Sequence, residues 1–284
     1  MGGNIMTIQN ANMKAVAKLA HAMLSTLLLM LAAPASADQL ADIKARGKLV
    51  VGIGDAIPPF TFRRAGGEPV GYDVDLVRDV AERMGVKLEM VSVAETERMS
   101  ALQQGKVDLV ASTFTRTPER ERDVDFSVTM FYSPQVIIVD KASGVTSVKQ
   151  LAGRKIGVLR GRTADKNILD VIPTAQIVFV DSYAGAFSGL KEKKLDGFAA
   201  DNLVLRTNLK KENDAERYFF IPDFNKGREA GFGIKKGETA LKNAVDRALL
   251  DMEASGEAAK IFDVWFGPKS DVPIERTFKI QANQ

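Results

Sequence analysis

The sequence predicts an α/β fold built as two lobes of similar design. Short runs rich in β-branched and aliphatic residues alternate with segments of helical periodicity between positions 49 and 201. This order is typical of mostly parallel sheets covered by helices. The stretches 102–112 and 190–201 both contain a helix end, a lysine, an aliphatic residue followed by aspartate, and an apolar strand. This internal echo favours two α/β lobes over one large sheet.

Each lobe has its own series of predicted elements. The first series is a strand at 49–54, a helix at 72–85, a strand at 87–93, a helix at 98–105 and a strand at 107–112. The second series is a strand at 154–161, a helix at 163–171, a strand at 175–180, a helix at 185–194 and a strand at 196–201. Gly85 and Gly105 are suited to end their helices, because glycine readily adopts the left-handed conformation found there. An amphipathic helical tail, broken at Ser255-Gly256-Glu257, completes the prediction.

The first 37 residues have the features of an export signal. A basic n-region with two lysines, an apolar run at 23–33 and the small-residue site Ala35-Ser36-Ala37 follow one another. The apolar run is too short to span a bilayer, which takes about 20 residues. We therefore expect cleavage before Asp38 rather than an uncleaved anchor, with either Met1 or Met13 as the start. Cysteine is absent, which argues against a lipid-modified cysteine, so we expect a periplasmic protein.

Composition excludes several classes of chemistry. The only histidine, His21, lies in the predicted signal, so the mature chain has no histidine for catalysis or metal binding. Without cysteine it has no disulfide and no thiol nucleophile. Removal of the two signal lysines reduces the formal net charge from +3 to +1, which gives no reason to expect a nucleic-acid partner. Paired carboxylates for acid–base catalysis stay open, although no spacing marks such a pair.

A run of three alternate threonines precedes a short predicted helix. Thr117 suits its N-cap and Pro118 its first position. Arg120 then lies in the first turn, where the helix dipole disfavours a cation by about 0.3–1 kcal/mol. A bound carboxylate would reverse that preference, because Thr113, Thr115 and a bidentate arginine could all contact it. The alternative is a surface arginine paired with a neighbouring acid.

Two strand ends of the second lobe complete the candidate site. Thr163 follows the strand that ends near Gly161, and Asp201 ends an apolar strand. An unpaired buried carboxylate is costly, so either a ligand ammonium or a neighbouring lysine or backbone cap must satisfy Asp201. Ligands of open α/β sheets bind beyond the carboxyl ends of the strands. Together these groups would fit a zwitterion, with its carboxylate on Arg120 and its ammonium on Asp201.

Six motifs follow one another along the mature chain: GYDVDL at 71–76, GKVD at 105–108, TFTRTPER with DFS at 113–127, GVL at 157–159 with Gly161 and Thr163, LDG at 195–197 with Asp201, and SGEA at 255–258. Together they resemble the family 3 bacterial solute-binding proteins, the periplasmic receptors of polar amino-acid ABC importers. The resemblance implies a type II periplasmic-binding-protein fold, with two lobes hinged by two crossing strands. It places lobe 1 at 38–134 plus 228–284 and lobe 2 at 135–227, after a signal at 1–37.

The resemblance also implies a role for each candidate residue. Thr115, Arg120 and Thr163 would hold the α-carboxylate of an amino acid, and Thr113 and Asp201 its α-ammonium.

The far end of the ligand is expected near Arg98 and Tyr183. The tripeptide centred on Arg98 resembles the glutamate/aspartate-binding branch, in which an arginine at this place reaches the side-chain carboxylate. Four positions depart from relatives: Gly54 replaces a basic residue, Tyr183 replaces a histidine, and Ile57 and Glu95 replace an aromatic clamp. Glutamine or asparagine is therefore an alternative ligand, and Arg98 could instead pair with Glu95.

We expect a periplasmic receptor that binds glutamate, aspartate or another polar L-amino acid and delivers it to an inner-membrane ABC permease. The expected protein is a monomer without cofactor or metal and is not an enzyme. The competing hypothesis is a dehydratase of the same fold that acts on a prephenate-like carboxylic acid, with a glutamate as its acid.

Overall fold

The computed structural model describes residues 38–64, 67–221, 224 and 228–281. The predicted signal at 1–37 lies outside them, so its prediction is untested. The compact unit begins at Gln39. Across the described ranges, no helix has both the length and the apolar character needed to cross a membrane.

Helices and strands alternate along the described chain. The α-helices are α1 (Gln39–Arg46), α2 (Tyr72–Arg83), α3 (Arg98–Gln103), α4 (Pro118–Glu121), α5 (Ala164–Val171), α6 (Tyr183–Lys191), α7 (Asn202–Leu209), α8 (Thr239–Ser255) and α9 (Glu257–Phe266). The strands are β1 (Lys48–Ile53), β2 (Ala56–Ile57), β3 (Thr61–Arg63), β4 (Pro69–Val70), β5 (Lys87–Ser92), β6 (Leu109–Val110), β7 (Val124–Phe126), β8 (Phe131–Ser133), β9 (Gln135–Asp140), β10 (Lys155–Leu159), β11 (Gln176–Val180), β12 (Gly197–Asp201), β13 (Tyr218–Ile221), β14 (Arg228–Ala230) and β15 (Gly233–Lys235). Short 3₁₀ turns occupy Lys141–Ser143, Val148–Leu151 and Ala215–Arg217.

Two five-stranded sheets form the frame. The first-lobe sheet has the order β5-β1-β6-β15-β7 and the second-lobe sheet the order β11-β10-β12-β9-β13. In each sheet the first three strands run parallel, whereas β15 and β9 run antiparallel to their neighbours. The fold-class prediction of a two-lobed α/β protein is confirmed. The expectation of mostly parallel sheets is confirmed, because four of the five strands in each sheet point the same way and only β15 and β9 are reversed.

The chain passes between the sheets beside a two-stranded ladder. Strand β8 pairs antiparallel with β14, so the outgoing and returning segments lie side by side. Phe131 of β8 packs against the rings of Phe60 and Tyr72 at centroid distances of 4.8 and 5.5 Å. Each buried ring of this kind contributes about 1.5–3 kcal/mol through removal of apolar surface from water. The ladder is therefore anchored in the first-lobe core, while the exact lobe boundaries stay a prediction.

Local signals in the sequence end most helices where expected. Gly85, Gly105 and Gly256 all have positive φ values, which the left-handed C-terminal conformation requires. Thr117 caps α4 by accepting a hydrogen bond from the backbone N–H of Arg120 at 3.3 Å. Thr163 precedes α5, but its side chain makes no capping hydrogen bond. Thr163 thus occupies the N-cap position of α5 without its hydroxyl serving as the cap.

Candidate functional site

Polar side chains meet where the loops after β5, β6, β10 and β12 face one another between the two sheets. We call this region the inter-lobe cleft and define it by Thr113, Arg120, Arg162, Asp201 and Glu95. A cavity of about 500 Å³ opens at its mouth and is lined by residues of both lobes, among them Gly54, Ile57, Glu95, Leu159, Arg160 and Asp181. The loops of parallel strands thus build a site at their carboxyl ends.

Thr113 is held in an unusual conformation at the end of β6. Its φ is +43°, a left-handed value that a β-branched residue rarely adopts. The buried carboxylate of Asp73 accepts the Thr113 backbone N–H at 2.6 Å. Burial raises the pKa of Asp73 to about 7, although that N–H and the charge of Arg162 both favour the carboxylate form. Asp73 therefore fixes the strained loop that presents the Thr113 hydroxyl to the cleft.

Arg120 connects the two lobes through backbone carbonyls. Its guanidinium donates to the carbonyl oxygen of Thr115 at 2.8 Å and to that of Gly161, in the other lobe, at 3.0 Å. It also stacks over the ring of Phe114 at 4.6 Å. Burial lowers the pKa of Arg120, and the nearby Arg162 lowers it further. The side chain thus lies in the cleft rather than in an ion pair on the surface.

Arg98 is more completely enclosed, with 1% of its side chain exposed. It donates to the carbonyl oxygens of Glu95 at 3.1 Å, Ser112 at 2.8 Å and Gly161 at 3.2 Å. The Glu95 carboxylate lies 3.7 Å away. Two arginines of the first lobe therefore converge on the single carbonyl of Gly161.

Arg162 lies across the centre of the cleft, and the sequence analysis did not select it. Its Nη2 atom donates to Oε1 of Glu95 at 2.7 Å, and its Nε atom donates to the second carboxylate oxygen. Its Nη1 atom donates to the Thr113 hydroxyl at 3.3 Å and to Asp201 at 3.4 Å. One guanidinium thereby connects the predicted ammonium-binding groups of both lobes.

The Glu95–Arg162 pair is strongly coupled. Only 7% of the Arg162 side chain and 23% of the Glu95 side chain are exposed. Burial opposes the charge on each group, yet the pKa of Arg162 is raised by Glu95 and that of Glu95 is lowered by Arg162. Bidentate arginine–carboxylate contacts are among the stronger hydrogen-bonded pairs in proteins. Both side chains are therefore ionised in this arrangement.

The remaining predicted residues have distinct surroundings. The Thr163 hydroxyl accepts a hydrogen bond from Nε2 of Gln135 at 3.2 Å. Tyr183 packs edge-on against Phe198 at 5.7 Å, and its buried hydroxyl has no hydrogen-bond partner in the part of the chain that the structure describes. Burial raises the Tyr183 pKa, so the phenol is neutral. Thr163 and Tyr183 both belong to the second lobe. The hydrogen bonds of Arg162 given above go to Glu95, Thr113 and Asp201 and do not include either residue.

At the cleft mouth, the absence of the basic residue that relatives have in place of Gly54 has a steric explanation. A side chain at Gly54 would place its Cβ 2.4 Å from Cδ1 of Ile57, so Ile57 fills the space that a basic residue would need. Gly161 has a φ of +78°, and a Cβ there would lie 2.9 Å from the carbonyl carbon of Glu95. The glycine thus permits the close approach of the two lobes.

Sequence reasoning missed Arg162, Glu95 and Asp73 as parts of the site. The strand-end rule that selected Thr163 applies equally to its neighbour Arg162, and the position of Glu95 was noted only as a departure. Asp73 lies in the GYDVDL motif. The helical pattern alone did not show that its carboxylate is buried.

The chain belongs to family 3 of the bacterial extracellular solute-binding proteins, whose family model matches residues 49–268. It is 30% identical over 233 residues to the ABC transporter glutamine-binding protein GlnH of Bacillus subtilis (strain 168), covering 80% of this chain and 84% of the relative. It is 27% identical over 267 residues to the L-glutamate/L-aspartate-binding protein of Pseudomonas aeruginosa, covering 88% of each chain.

Solved structures show the same fold. An ancestral arginine-binding protein bound to glutamine superposes with a TM-score of 0.72 at 33% identity, covering 78% of this chain and 99% of that one. An ancestral amino-acid-binding protein, described as a precursor of cyclohexadienyl dehydratase, has a TM-score of 0.71 at 31% identity and covers 80% of this chain and 99% of that one.

Proposed function

We propose that this protein is a periplasmic receptor that binds a polar L-amino acid between its lobes and delivers it to an inner-membrane ABC permease. The observation that carries the proposal is the convergence of Arg120 from one lobe and Asp201 from the other on the same cleft. The relatives whose names state a ligand bind amino acids, which supports the same class. In this proposal the protein acts as a monomer and performs no chemistry.

The binding mode assigns the zwitterion to both lobes. Thr115, Arg120 and Thr163 take the α-carboxylate, because a guanidinium and hydroxyls satisfy its oxygens. Thr113 and Asp201 take the α-ammonium; both already contact one cationic group, the guanidinium of Arg162. A ligand held by both lobes stabilises the closed form, so a hinge motion follows binding.

Charge balance favours a dicarboxylic amino acid. Arg98, Arg120 and Arg162 contribute three positive charges to the cleft region, whereas Glu95 and Asp201 contribute two negative ones. Asp73, with a pKa of about 7, is protonated in at least half of the molecules at or below neutral pH. Uncompensated buried charge is unfavourable, so a ligand with a net charge of −1 restores neutrality. We therefore propose glutamate or aspartate, with Arg98 and Tyr183 near the distal end.

A neutral polar ligand is the main alternative within this function. One relative is named for glutamine, and one solved neighbour holds glutamine. Arg98 already donates to three carbonyl oxygens, so it must exchange at least one of them to reach a ligand carboxylate. A thermal-shift screen of the twenty L-amino acids separates these ligands, because a native-state ligand raises apparent stability by mass action.

Two variants test the binding mode by calorimetry with the amino acid that gives the largest thermal shift. Arg120→Ala and Asp201→Asn should each weaken binding at least about 30-fold, because removal of one partner from a buried charged pair costs roughly 2–5 kcal/mol. Arg122→Ala is the matched control, since Arg122 is exposed just beyond the same short helix. Near-normal affinity in Arg120→Ala, with an unchanged circular-dichroism melt, would contradict the proposed function.

The dehydratase alternative, as stated above, needs a glutamate in the cleft that is protonated and can act as the acid. Arg162 lowers the pKa of Glu95 although burial opposes this, which leaves Glu95 ionised and unsuited to act as a general acid. Incubation with prephenate is the direct test. Time-dependent formation of a dehydrated product would favour an enzyme.

A further inference from the structure

The dipeptide Gly161-Arg162 presents a hydrogen-bond acceptor, the Gly161 carbonyl, and a cation, the Arg162 guanidinium, to the cleft. The Gly161 carbonyl oxygen accepts from Arg120 at 3.0 Å and from Arg98 at 3.2 Å. One residue further on, the Arg162 guanidinium donates to Thr113 at 3.3 Å and to Asp201 at 3.4 Å. The Gly161 oxygen thus accepts hydrogen bonds from the arginines proposed to bind a carboxylate or side chain. The Arg162 cation contacts Thr113 and Asp201, the groups proposed to bind an ammonium.

This pattern matches the polarity of an amino-acid zwitterion. The proposed binding mode, on which this inference rests, sends a carboxylate to Arg120 and an ammonium to Thr113 and Asp201. Within the chain, the Gly161 carbonyl takes the place of the ligand carboxylate, and the Arg162 guanidinium takes the place of the ligand ammonium. The dipeptide and a ligand therefore require the same protein groups and cannot both hold all of them.

The same dipeptide holds the lobes together. Arg162 lies after β10 in the second lobe, whereas Glu95, its bidentate partner, precedes α3 in the first lobe. Gly161 lies against the backbone of Glu95 so closely that only a glycine fits there without displacement. The Gly161 carbonyl oxygen accepts hydrogen bonds from Arg98 and Arg120 of the first lobe. The contacts between the lobes therefore form a single connected network.

We propose that Gly161-Arg162 is an internal pseudo-ligand that closes the cleft when no amino acid is bound and competes with the ligand for Arg120, Thr113 and Asp201. Binding then proceeds by displacement of Arg162 from Thr113 and Asp201. A pseudo-ligand that keeps about 90% of the molecules closed weakens the apparent affinity about tenfold, because only the competent fraction binds. Arg162 is thus an affinity-setting residue that acts without contacting the bound amino acid.

The test compares Arg162→Ala with a matched control in the same lobe. Arg154→Ala removes the same charge just before β10, away from the cleft, where the arginine is 43% exposed and pairs with Asp196 at 3.5 Å. Each protein is unfolded in urea, dialysed and refolded to remove any co-purified amino acid. Small-angle X-ray scattering then reports compactness without ligand, and calorimetry reports affinity for L-glutamate, L-glutamine and L-arginine.

We expect Arg162→Ala to have a larger radius of gyration than wild type without ligand and about tenfold tighter binding, and Arg154→Ala to match wild type in both. Glu95→Gln provides a second variant that retains the side-chain shape and should also expand the protein. Unchanged scattering in both cleft variants overturns the proposal, as does binding that is tenfold weaker in Arg162→Ala.

The outcomes also separate this proposal from the proposed function. Expansion of Arg162→Ala without binding of any amino acid supports the cross-lobe closure, while the assigned class of ligand fails. Binding by all the proteins without expansion of either cleft variant supports the receptor and refutes the pseudo-ligand.

Discussion

Replacement of Asp73 by asparagine should change how the stability of the protein depends on pH. Asp73 is fully buried in the first turn of α2, and burial raises its pKa from 3.8 to about 7. Because the native pKa is the higher one, the native state binds more protons than the unfolded state between about pH 4 and 7. Stability from this group is therefore lost as the pH rises through that window. The full difference corresponds to roughly 4 kcal/mol above pH 7.

The measurement is urea unfolding of wild type and Asp73→Asn at two pH values. Between about pH 5 and 8, wild type should lose about 2.5 kcal/mol more unfolding free energy than the variant, by the linkage relation. The Oδ1 atom of Asp73 has no hydrogen-bond partner within the described residues, so the asparagine amide adds its own cost. That cost is the same at both pH values and cancels in the comparison.

Asp79→Asn is the control, because it removes a carboxylate from the same helix at a more exposed position beside Arg83. Its difference from wild type should change less between the two pH values than that of Asp73→Asn. If the difference between Asp73→Asn and wild type is equal at both pH values, or favours wild type at the higher one, the burial argument is wrong.

Two further variants test the cleft. Gly161→Ala should weaken amino-acid binding at least about tenfold in calorimetry, because its Cβ would meet the Glu95 backbone at 2.9 Å and hold the lobes apart. Gly153→Ala controls for the strain of a positive φ, since nothing lies within 4 Å of its Cβ position; equal affinity in the two variants would refute the steric argument. Tyr183→Phe should leave the unfolding free energy unchanged or raise it by up to about 1 kcal/mol, because it removes a buried hydroxyl without a partner among the described residues. The same variant should bind the amino acid more weakly if Tyr183 contacts it, and a loss of stability of more than about 1 kcal/mol would show instead that the hydroxyl is hydrogen-bonded.

Local sequence patterns predicted the ten helices and strands of the two α/β series, but not other elements such as β2, β3, β4 and α7. Helix ends at Gly85 and Gly256 follow from the conformational freedom of glycine, and the cap at Thr117 follows from its hydroxyl. Such features depend on residues within one helical turn, so a single stretch of sequence contains the whole signal. The antiparallel strand β15 was not predicted, because it enters the first-lobe sheet from more than 100 positions beyond its partner β6.

The candidate site was only partly accessible to the same reasoning. Asp201 and Arg120 stood out because each carries a charge where its own strand or helix disfavours one. Arg98 was expected either to reach a ligand or to pair with Glu95. In the structure its guanidinium donates to three carbonyl oxygens, one of them in the other lobe, and lies 3.7 Å from the Glu95 carboxylate, while its contact with a ligand stays a prediction. Whether an arginine faces a ligand or a backbone carbonyl depends on the approach of distant segments, which no local pattern records.

The sequence by itself determined the α/β class, the two-lobed design, the family and most of the polar groups at the strand ends. These properties follow from hydrophobic periodicity, turn residues and motifs that act over short distances along the chain. Only the tertiary structure decided that Arg162 pairs with Glu95, 67 positions away, and that Asp73 supports the strained Thr113. Burial and closure of the lobes bring these groups together, and electrostatic coupling between them is strong only in the water-poor cleft that results.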